Sequence, residues 1–194
     1  MQHQSLDDRH VYIAQFILLK NVPESVQIHF ETGKNIFVYA WYVYRFHMVA
    51  EQHILATLEM AVRVRLAYYT VDKMPRGLAK LLRAARVNQL IANERFANRN
   101  RWVLERAHQR HNFAEMERML KEGVSEWTVD YSNVEPDEED LQFDWLEHFI
   151  TTLPDLRNMH AHGSGALYPT VGRTFEIVQE LVNQLFAHYR PEVQ

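Results

Sequence analysis

Apolar side chains recur at helical spacing along a stretch from about residue 35 to residue 69. Successive members lie three, four or seven positions apart: Phe37, Trp41, Tyr44, Met48, Leu55, Leu58, Val62 and Leu66. Glu51 is the one residue that breaks this series. Such a stripe predicts one long helix, which at 1.5 Å per residue would span roughly 50 Å. Residues 35–44 alone, rich in aromatic and β-branched side chains, are also compatible with a strand.

Shorter helices are predicted before this stretch. Ser5, with Asp8 three residues further on, has the pattern of an N-cap and predicts a helix that continues to about Lys20. Residues 23–32 then predict a short second helix that ends before Gly33.

The rest of the chain predicts four more helices and one loop. The helices are expected at residues 78–91, at 93–122 before a stop at Gly123, from the acidic run 137–140 to Pro154, and at 171–189. Residues 124–137 are expected to form the loop, and Pro154 is expected to end or kink the third of these helices.

The pattern as a whole predicts an all-α fold, a bundle of four main helices with extra short helices. The sequence has no internal repeat and no obvious domain boundary. We therefore expect one domain, in which residues 1–34 form an N-terminal helical extension and residues 35–194 form the bundle.

The composition is that of a soluble globular protein, with 47% hydrophobic and 24% charged residues. The chain has no cysteine, which excludes disulfides and thiolate metal sites and favours a cytoplasmic location. The N-terminus lacks the pattern of a signal peptide. Arg45 and His47 interrupt the most apolar run before it reaches the ~20 residues of a membrane span, so no membrane partner is expected.

Charge is distributed unevenly along the chain, although the net charge is only −4. Residues 76–121 contain 11 Lys and Arg against four Asp and Glu, whereas residues 122–155 contain 11 Asp and Glu and no Lys or Arg. These blocks can bind partners, or they can neutralise each other within the fold.

The stretch LRNMHAHGSG, residues 156–165, concentrates chemically active side chains. Arg157 supplies a fixed cation that fits phosphate oxygens, and His162 supplies a group that exchanges protons near pH 7. RNA cleavage by internal attack needs both functions. A five-residue step on an unbroken helix rotates by about 140°, so spacing alone does not establish that the two side chains converge. The alternative is a polar helix end capped at Gly163.

Histidines also suggest a metal site, but the patterns favour none. His160 and His162 lie two residues apart, with His148 as a possible third ligand, a spacing more natural on a strand than on a helix. His108 and His111 share a helix face, but they lie among arginines, which disfavour a cation. We therefore expect neither a metal nor another cofactor.

The motif resembles the signature of the HEPN superfamily (higher eukaryotes and prokaryotes nucleotide-binding), in which Arg is followed by a polar residue and, four to six residues on, by His. Arg157, Asn158 and His162 match that pattern, and Gly163 matches the glycine that often follows. The sequence LAKLLRAA at residues 78–85 is similar to a family helix. The helix with Glu59 and Arg63 resembles the family's LE-x-x-x-R helix.

This resemblance implies a four-helix bundle that dimerises and brings two Arg–His pairs together in a cleft. Active members are metal-independent endoribonucleases, often toxins or effectors of phage defence and stress responses. Other members have lost catalysis and bind nucleotides or proteins. Members controlled by tyrosine modification carry His-x-Tyr, where this chain has Ser164, so control by that chemistry is not expected.

Our hypothesis from the sequence is a homodimeric HEPN-type ribonuclease. Arg157 would bind the scissile phosphate, His162 would act as general base or acid, Asn158 would orient one of them or the phosphate, and His160 would be a secondary proton carrier or substrate contact. The expected partners are RNA, a second copy of the chain and an antitoxin or regulatory protein. The rivals are a non-catalytic HEPN module and an unrelated helical adaptor.

The basic block supplies the expected contacts to the RNA backbone. Its candidate residues are Arg83, Arg86, Arg99 and Arg101, because neutralisation of phosphates provides most non-specific affinity for nucleic acid.

Overall fold

The computed structural model describes residues 5–69, 73–126, 128–161 and 171–189. These residues form helices and connecting segments and contain no strand, which confirms the all-α class. In chain order the described elements are α1 (Leu6–Ala14), α2 (Glu24–Tyr39), α3 (Phe46–Leu66), α4 (Leu78–Val87), a 3₁₀ turn (Asn93–Arg95), α5 (Arg99–Glu122), α6 (Glu138–Gln142), α7 (Trp145–Ala161) and α8 (Val171–Phe186).

The chain divides into two compact units. The first comprises Met1–Arg95 and Leu146–Gln194, and the second comprises Phe96–Trp145. In the first unit α3 is central, because it packs against α2, α8 and α4, while α1 packs against α2. None of the described helices combines the length and apolar character needed to cross a lipid bilayer.

The N-terminal helices differ from their predicted lengths. The Ser5 side chain caps α1 by accepting a hydrogen bond from the Asp8 backbone N–H, as predicted, but the helix ends at Ala14 rather than near Lys20.

Helix α2 does not end before Gly33, as the sequence suggested, but passes through it. A Cβ atom at this position would lie 3.4 Å from the His53 ring and 3.5 Å from the Phe175 ring. These are ordinary van der Waals distances, so the glycine neither ends α2 nor is required by its packing. Residue 34, the predicted end of an N-terminal extension, lies inside the same helix.

The predicted long helix is wrong, because residues 40–45 separate α2 from α3. In a continuous helix the Phe37 carbonyl would accept from the Trp41 N–H. Instead, the guanidinium of Arg9 donates to that carbonyl at 3.1 Å, and the Trp41 N–H bonds to the Val38 carbonyl. Arg9 thus donates to a carbonyl at the C-terminal end of α2, where a series of tight turns follows. The strand alternative for residues 35–44 is wrong as well.

The break divides the apolar stripe. Phe37 is buried on α2, while Trp41 and Tyr44 lie exposed in the turn segment. On α3 the remaining stripe positions are buried, apart from the half-buried Met48: Leu55, Leu58, Val62 and Leu66.

The middle helices follow the sequence pattern with shifted ends. Helix α4 buries Leu78, Leu81 and Leu82 as expected, but it ends at Val87. Helix α5 begins at Arg99 after the 3₁₀ turn. It ends where predicted, at Gly123, whose left-handed φ of 68° suits a glycine.

The acidic run forms a separate helix rather than the start of the next one. In α6 the Asp137 side chain accepts from the Asp140 backbone, and the Asp140 carboxylate accepts from the Asp137 backbone. A new helix, α7, begins at Trp145 and continues through Pro154 without ending there. Helix α8 buries the predicted positions Val171, Phe175, Val178, Val182 and Leu185.

Ion pairs hold α5 and α6 together in the second unit. The buried carboxylate of Asp140 lies 2.7 Å from the Arg110 guanidinium and 3.3 Å from that of Arg106. Arg106 also pairs with Glu139 at 2.8 Å. Within this unit, residues of the basic block therefore neutralise residues of the acidic block.

Candidate functional site

The candidate motif lies on the last turns of α7. Because α7 continues past Pro154 to Ala161, Arg157, Asn158 and His160 all lie on one continuous helix. Asn158 is exposed, Arg157 is partly exposed, and His160 is buried. The helix therefore directs neighbouring members of the motif into two different environments.

The remaining motif residues, His162 and Gly163, lie outside the described residues, as does the neighbouring Ser164. The predicted convergence of Arg157 and His162 consequently stays a prediction.

Arg157 reaches across to α3. Its guanidinium lies 3.5 Å from Oε2 of Glu59, and it donates to the Asn158 side-chain oxygen at 3.4 Å. The other oxygen of Glu59 is 2.8 Å from the Arg63 guanidinium. Two cations thus share one carboxylate, and the cluster has a net positive charge. The Arg157 side chain remains 43% exposed, so an anion has access to it.

His160 faces the core and belongs to a buried polar network. Its Nε2 lies 2.9 Å from Oε2 of Glu51, and Oε1 of Glu51 accepts a hydrogen bond from the Thr174 hydroxyl at 2.6 Å. The side chains of His160 and Glu51 are only 2% and 1% exposed. A carboxylate accepts hydrogen bonds and does not donate them, so the geometry assigns the Nε2 proton to His160 when Glu51 is ionised.

This network joins three helices. Glu51 lies on α3, His160 on α7 and Thr174 on α8. Buried polar groups are costly unless they are hydrogen-bonded, and a satisfied network fixes one arrangement of the elements that carry it. Nδ1 of His160 is buried and has no hydrogen-bond partner within the described part of the chain.

Sequence reasoning did not assign Glu51 or Thr174 to the site. A signal for Glu51 was present, because a carboxylate inside an apolar helical stripe must find a buried partner or disrupt the packing. Thr174 offered no such signal, since a threonine on an amphipathic helix is unremarkable.

In the first unit, two of the four candidate RNA-contacting arginines already have an anionic partner. Arg83 lies 3.7 Å from Glu147, and Arg86 lies 2.8 Å from the same carboxylate. Two guanidinium groups thus contact the same carboxylate.

The other two candidates belong to the second unit. Arg99 donates to the Leu141 backbone carbonyl, and Arg101 pairs with Glu105 one turn further along α5. All four arginines are at least partly exposed, so their existing partners weaken but do not block a contact with phosphate.

The described residues contain no group of three or more His, Asp or Glu side chains arranged to hold a metal ion. His108 and His111 instead pack against the ring of Tyr131, with ring centroids 4.7 and 6.2 Å apart. His148 is exposed on α7.

Comparison of the chain with protein-family models, with curated proteins and with solved structures finds no match. The resemblance to the HEPN superfamily therefore stays a prediction from the sequence motif.

Proposed function

We propose that this protein is a metal-independent endoribonuclease of the HEPN type that acts in the cytoplasm as a toxin, defence or stress effector. The observation that carries the proposal is the exposure of Arg157 and the charge around it. Its guanidinium is partly exposed near the end of α7, and with Arg63 it shares the single carboxylate of Glu59. Such a cluster attracts a phosphate, because arginine presents a planar fork that fits phosphate oxygens.

The proposed reaction is internal transesterification. The 2′-oxygen of the RNA attacks the adjacent phosphorus and loses its proton to a general base. The bond from phosphorus to the 5′-oxygen breaks, and a general acid protonates that oxygen as it leaves. The products are a 2′,3′-cyclic phosphate and a 5′-hydroxyl.

Each motif residue has a role in this proposal. Arg157 holds the phosphate and stabilises the charge that develops on its oxygens. His162 is the base or the acid. Asn158, whose oxygen accepts from Arg157, orients the guanidinium. His160 remains secondary, and its buried contact with Glu51 supports a positioning role rather than a substrate contact.

The proposal includes a homodimer, since two motifs facing each other would supply a base and an acid from separate histidines. It also includes an antitoxin or regulatory protein, because an unregulated ribonuclease would damage its own cell.

One observation favours a second candidate, a non-catalytic module that binds a nucleotide or a protein. The ion pair between Arg157 and Glu59 gives the arginine a structural partner that requires no substrate. In this alternative the motif binds a phosphate group without cleaving it.

The test is incubation of purified protein with labelled single-stranded RNA and DNA of the same sequence in EDTA. We expect RNA cleavage with cyclic-phosphate ends and no DNA cleavage, since DNA lacks the attacking hydroxyl. Arg157→Ala and His162→Ala should each reduce the rate by ~10²-fold or more. Cleavage that persists in both variants, or that needs added metal, would falsify the mechanism. Phosphate-dependent binding without cleavage would support the module.

A further inference from the structure

The turn segment between α2 and α3 exposes a dense group of aromatic side chains. We call residues 39–46 the aromatic segment. Its five exposed rings belong to Tyr39 (61% exposed), Trp41 (42%), Tyr42 (68%), Tyr44 (63%) and Phe46 (39%). Soluble proteins rarely expose so much contiguous apolar surface unless it binds something.

A buried cation lies directly beneath this segment. Arg9 is only 9% exposed, and its guanidinium carbon lies 4.9 Å from the Phe37 ring centroid and 5.7 Å from that of Trp41. Within the described residues it pairs with no carboxylate, and its Nε is buried without a hydrogen-bond partner. Burial lowers the pKa of Arg9, but arginine stays protonated in proteins. Among the described residues, no carboxylate therefore neutralises the charge under the aromatic segment.

The contacts with Arg9 also fix the rings in place. Both terminal nitrogens of Arg9 lie 3.3 Å from Nε2 of His47. The Tyr44 ring packs edge-on against the His47 ring, with centroids 5.2 Å apart. Trp41 and Tyr44 are thus held from below while their other faces are exposed, which lowers the entropic cost of binding a flat partner.

The positive charge in and under the aromatic segment favours a negatively charged partner. Residues 35–50 include Arg45 and no Asp or Glu, and Arg9 adds a second positive charge. Four of the five exposed rings carry a hydroxyl or an indole N–H. An anionic partner with flat faces and polar edges meets both conditions, and the bases and phosphates of single-stranded RNA have these properties.

The segment also lies at the motif end of α7. Glu51, whose carboxylate bonds His160 near the end of α7, is five residues after Phe46, the last residue of the aromatic segment. Arg157 itself contacts Glu59, 13 residues after Phe46 on α3, so a strand bound at both places would span about 20 Å, which is several nucleotides.

We propose that the aromatic segment is a stacking platform for unpaired bases of single-stranded RNA, which defines the substrate class of the adjacent motif. This inference rests on the proposed function and narrows it. Base-paired RNA would not be held there, because its bases are stacked on each other and their faces are unavailable.

The experiment measures binding by fluorescence anisotropy with the His162→Ala protein, so that cleavage does not interfere. The probes are an oligoadenylate RNA, an abasic oligomer with the same number of phosphates, and double-stranded RNA of equal length. The test variant is Tyr42→Ala with Tyr44→Ala. Its matched controls are Tyr42→Phe with Tyr44→Phe, which keeps both rings, and Phe113→Ala, which removes an exposed ring from the second unit.

We expect the alanine pair to weaken oligoadenylate binding by about tenfold or more, since one stacked base contributes about 1–3 kcal/mol. Binding of the abasic oligomer should change less than twofold, and both control variants should bind as the parent does. The inference would be overturned if the alanine pair weakened binding of both single-stranded probes equally, or if it bound them as the parent does. It would also be overturned if the parent bound no RNA. Conversion of a dimer to a monomer by the alanine pair in light scattering would also overturn it, by assigning the surface to a second copy. Base-dependent binding by a protein that never cleaves RNA would refute only the catalytic proposal.

Discussion

The Glu51 carboxylate and the His160 imidazole lie 2.9 Å apart in the core of the first unit, and neither side chain is more than 2% exposed. The contact joins the second turn of α3 to the last described turn of α7. It therefore fixes the last described turn of α7, which also carries Asn158, against α3.

Replacing Glu51 with Ala should destabilise the fold strongly. The change leaves the His160 ring and the Thr174 hydroxyl without their shared acceptor in a buried site, which costs about 3–5 kcal/mol. Glu51→Gln keeps an acceptor and adds a donor, so its cost should be less than half as large. Urea unfolding followed by circular dichroism measures both values. Equal stability of the alanine variant and the parent would show that the network contributes nothing.

Glu59→Gln should tighten RNA binding by about 1.5- to 5-fold. The substitution removes the carboxylate that competes with phosphate for Arg157, and an ion pair that solvent reaches, here through the exposed Arg157, is worth about 0.2–1 kcal/mol. The gain should disappear when Arg157→Ala is added, and a double-mutant cycle by fluorescence anisotropy measures the coupling. A gain of the same size without Arg157 would mean that Glu59 only repels RNA at a distance.

Acid should weaken the second unit through Asp140. Burial alone would raise the pKa of this carboxyl, but the hydrogen bonds from Arg110 and the Asp137 backbone, with the charges of Arg110 and Arg106, outweigh it and lower the pKa below its usual value. A lowered folded-state pKa contributes stability above the unfolded value of about 3.9, and this contribution is lost as pH falls through the folded pKa.

The stability difference between the parent and Asp140→Asn should therefore be constant above about pH 5 and shrink below about pH 4. Thermal unfolding at a series of pH values measures it. A difference that stays constant down to pH 2 would contradict the assignment.

Changing Arg83, Arg86, Arg99 and Arg101 together to Ala should weaken binding to all RNA sequences alike. Phosphate contacts carry no sequence information, and each lost contact reduces the dependence of log affinity on log salt by about 0.7 for a single strand. Anisotropy titrations at several salt concentrations measure this slope. A quadruple variant with the parent's slope would leave these arginines only their present partners, such as Glu147 and Glu105.

Light scattering at micromolar concentration should give twice the chain mass of 23.1 kDa. A stable homodimer requires a buried surface of at least about 1,200 Å². A monomer mass under these conditions would contradict the proposed dimer. It would also contradict a cleft in which two protomers each supply one histidine.

The sequence pattern predicted helix ends that are set by residues next to them in the chain. Gly123 ended α5 and Ser5 capped α1 as expected, because each acts within a few residues of its own position. Gly33 was misjudged as a stop, because α2 passes through it and packs there near His53 and Phe175, which are distant in the sequence.

The candidate site shows the same limit. The motif residues were found because Arg157 and Asn158 are neighbours in the chain. The buried acceptor of His160 was not found, because 109 positions separate it from Glu51 and only folding brings the two together. The partner of Arg157 was not found for the same reason, because Glu59 lies on a different helix, far away in the sequence.

Where α2 ends, the Phe37 carbonyl accepts a hydrogen bond from a side chain that lies 28 positions before it in the chain. An isolated fragment that begins at residue 24 would lack that guanidinium, and its apolar stripe would favour one uninterrupted rod. The exposed rings at residues 39–46 would then wind around a helix surface instead of gathering at a corner. The first helix thus supports a surface from below, through an Arg9 side chain that is almost completely buried. A truncated protein without this helix should lose that surface even if its remaining helices folded.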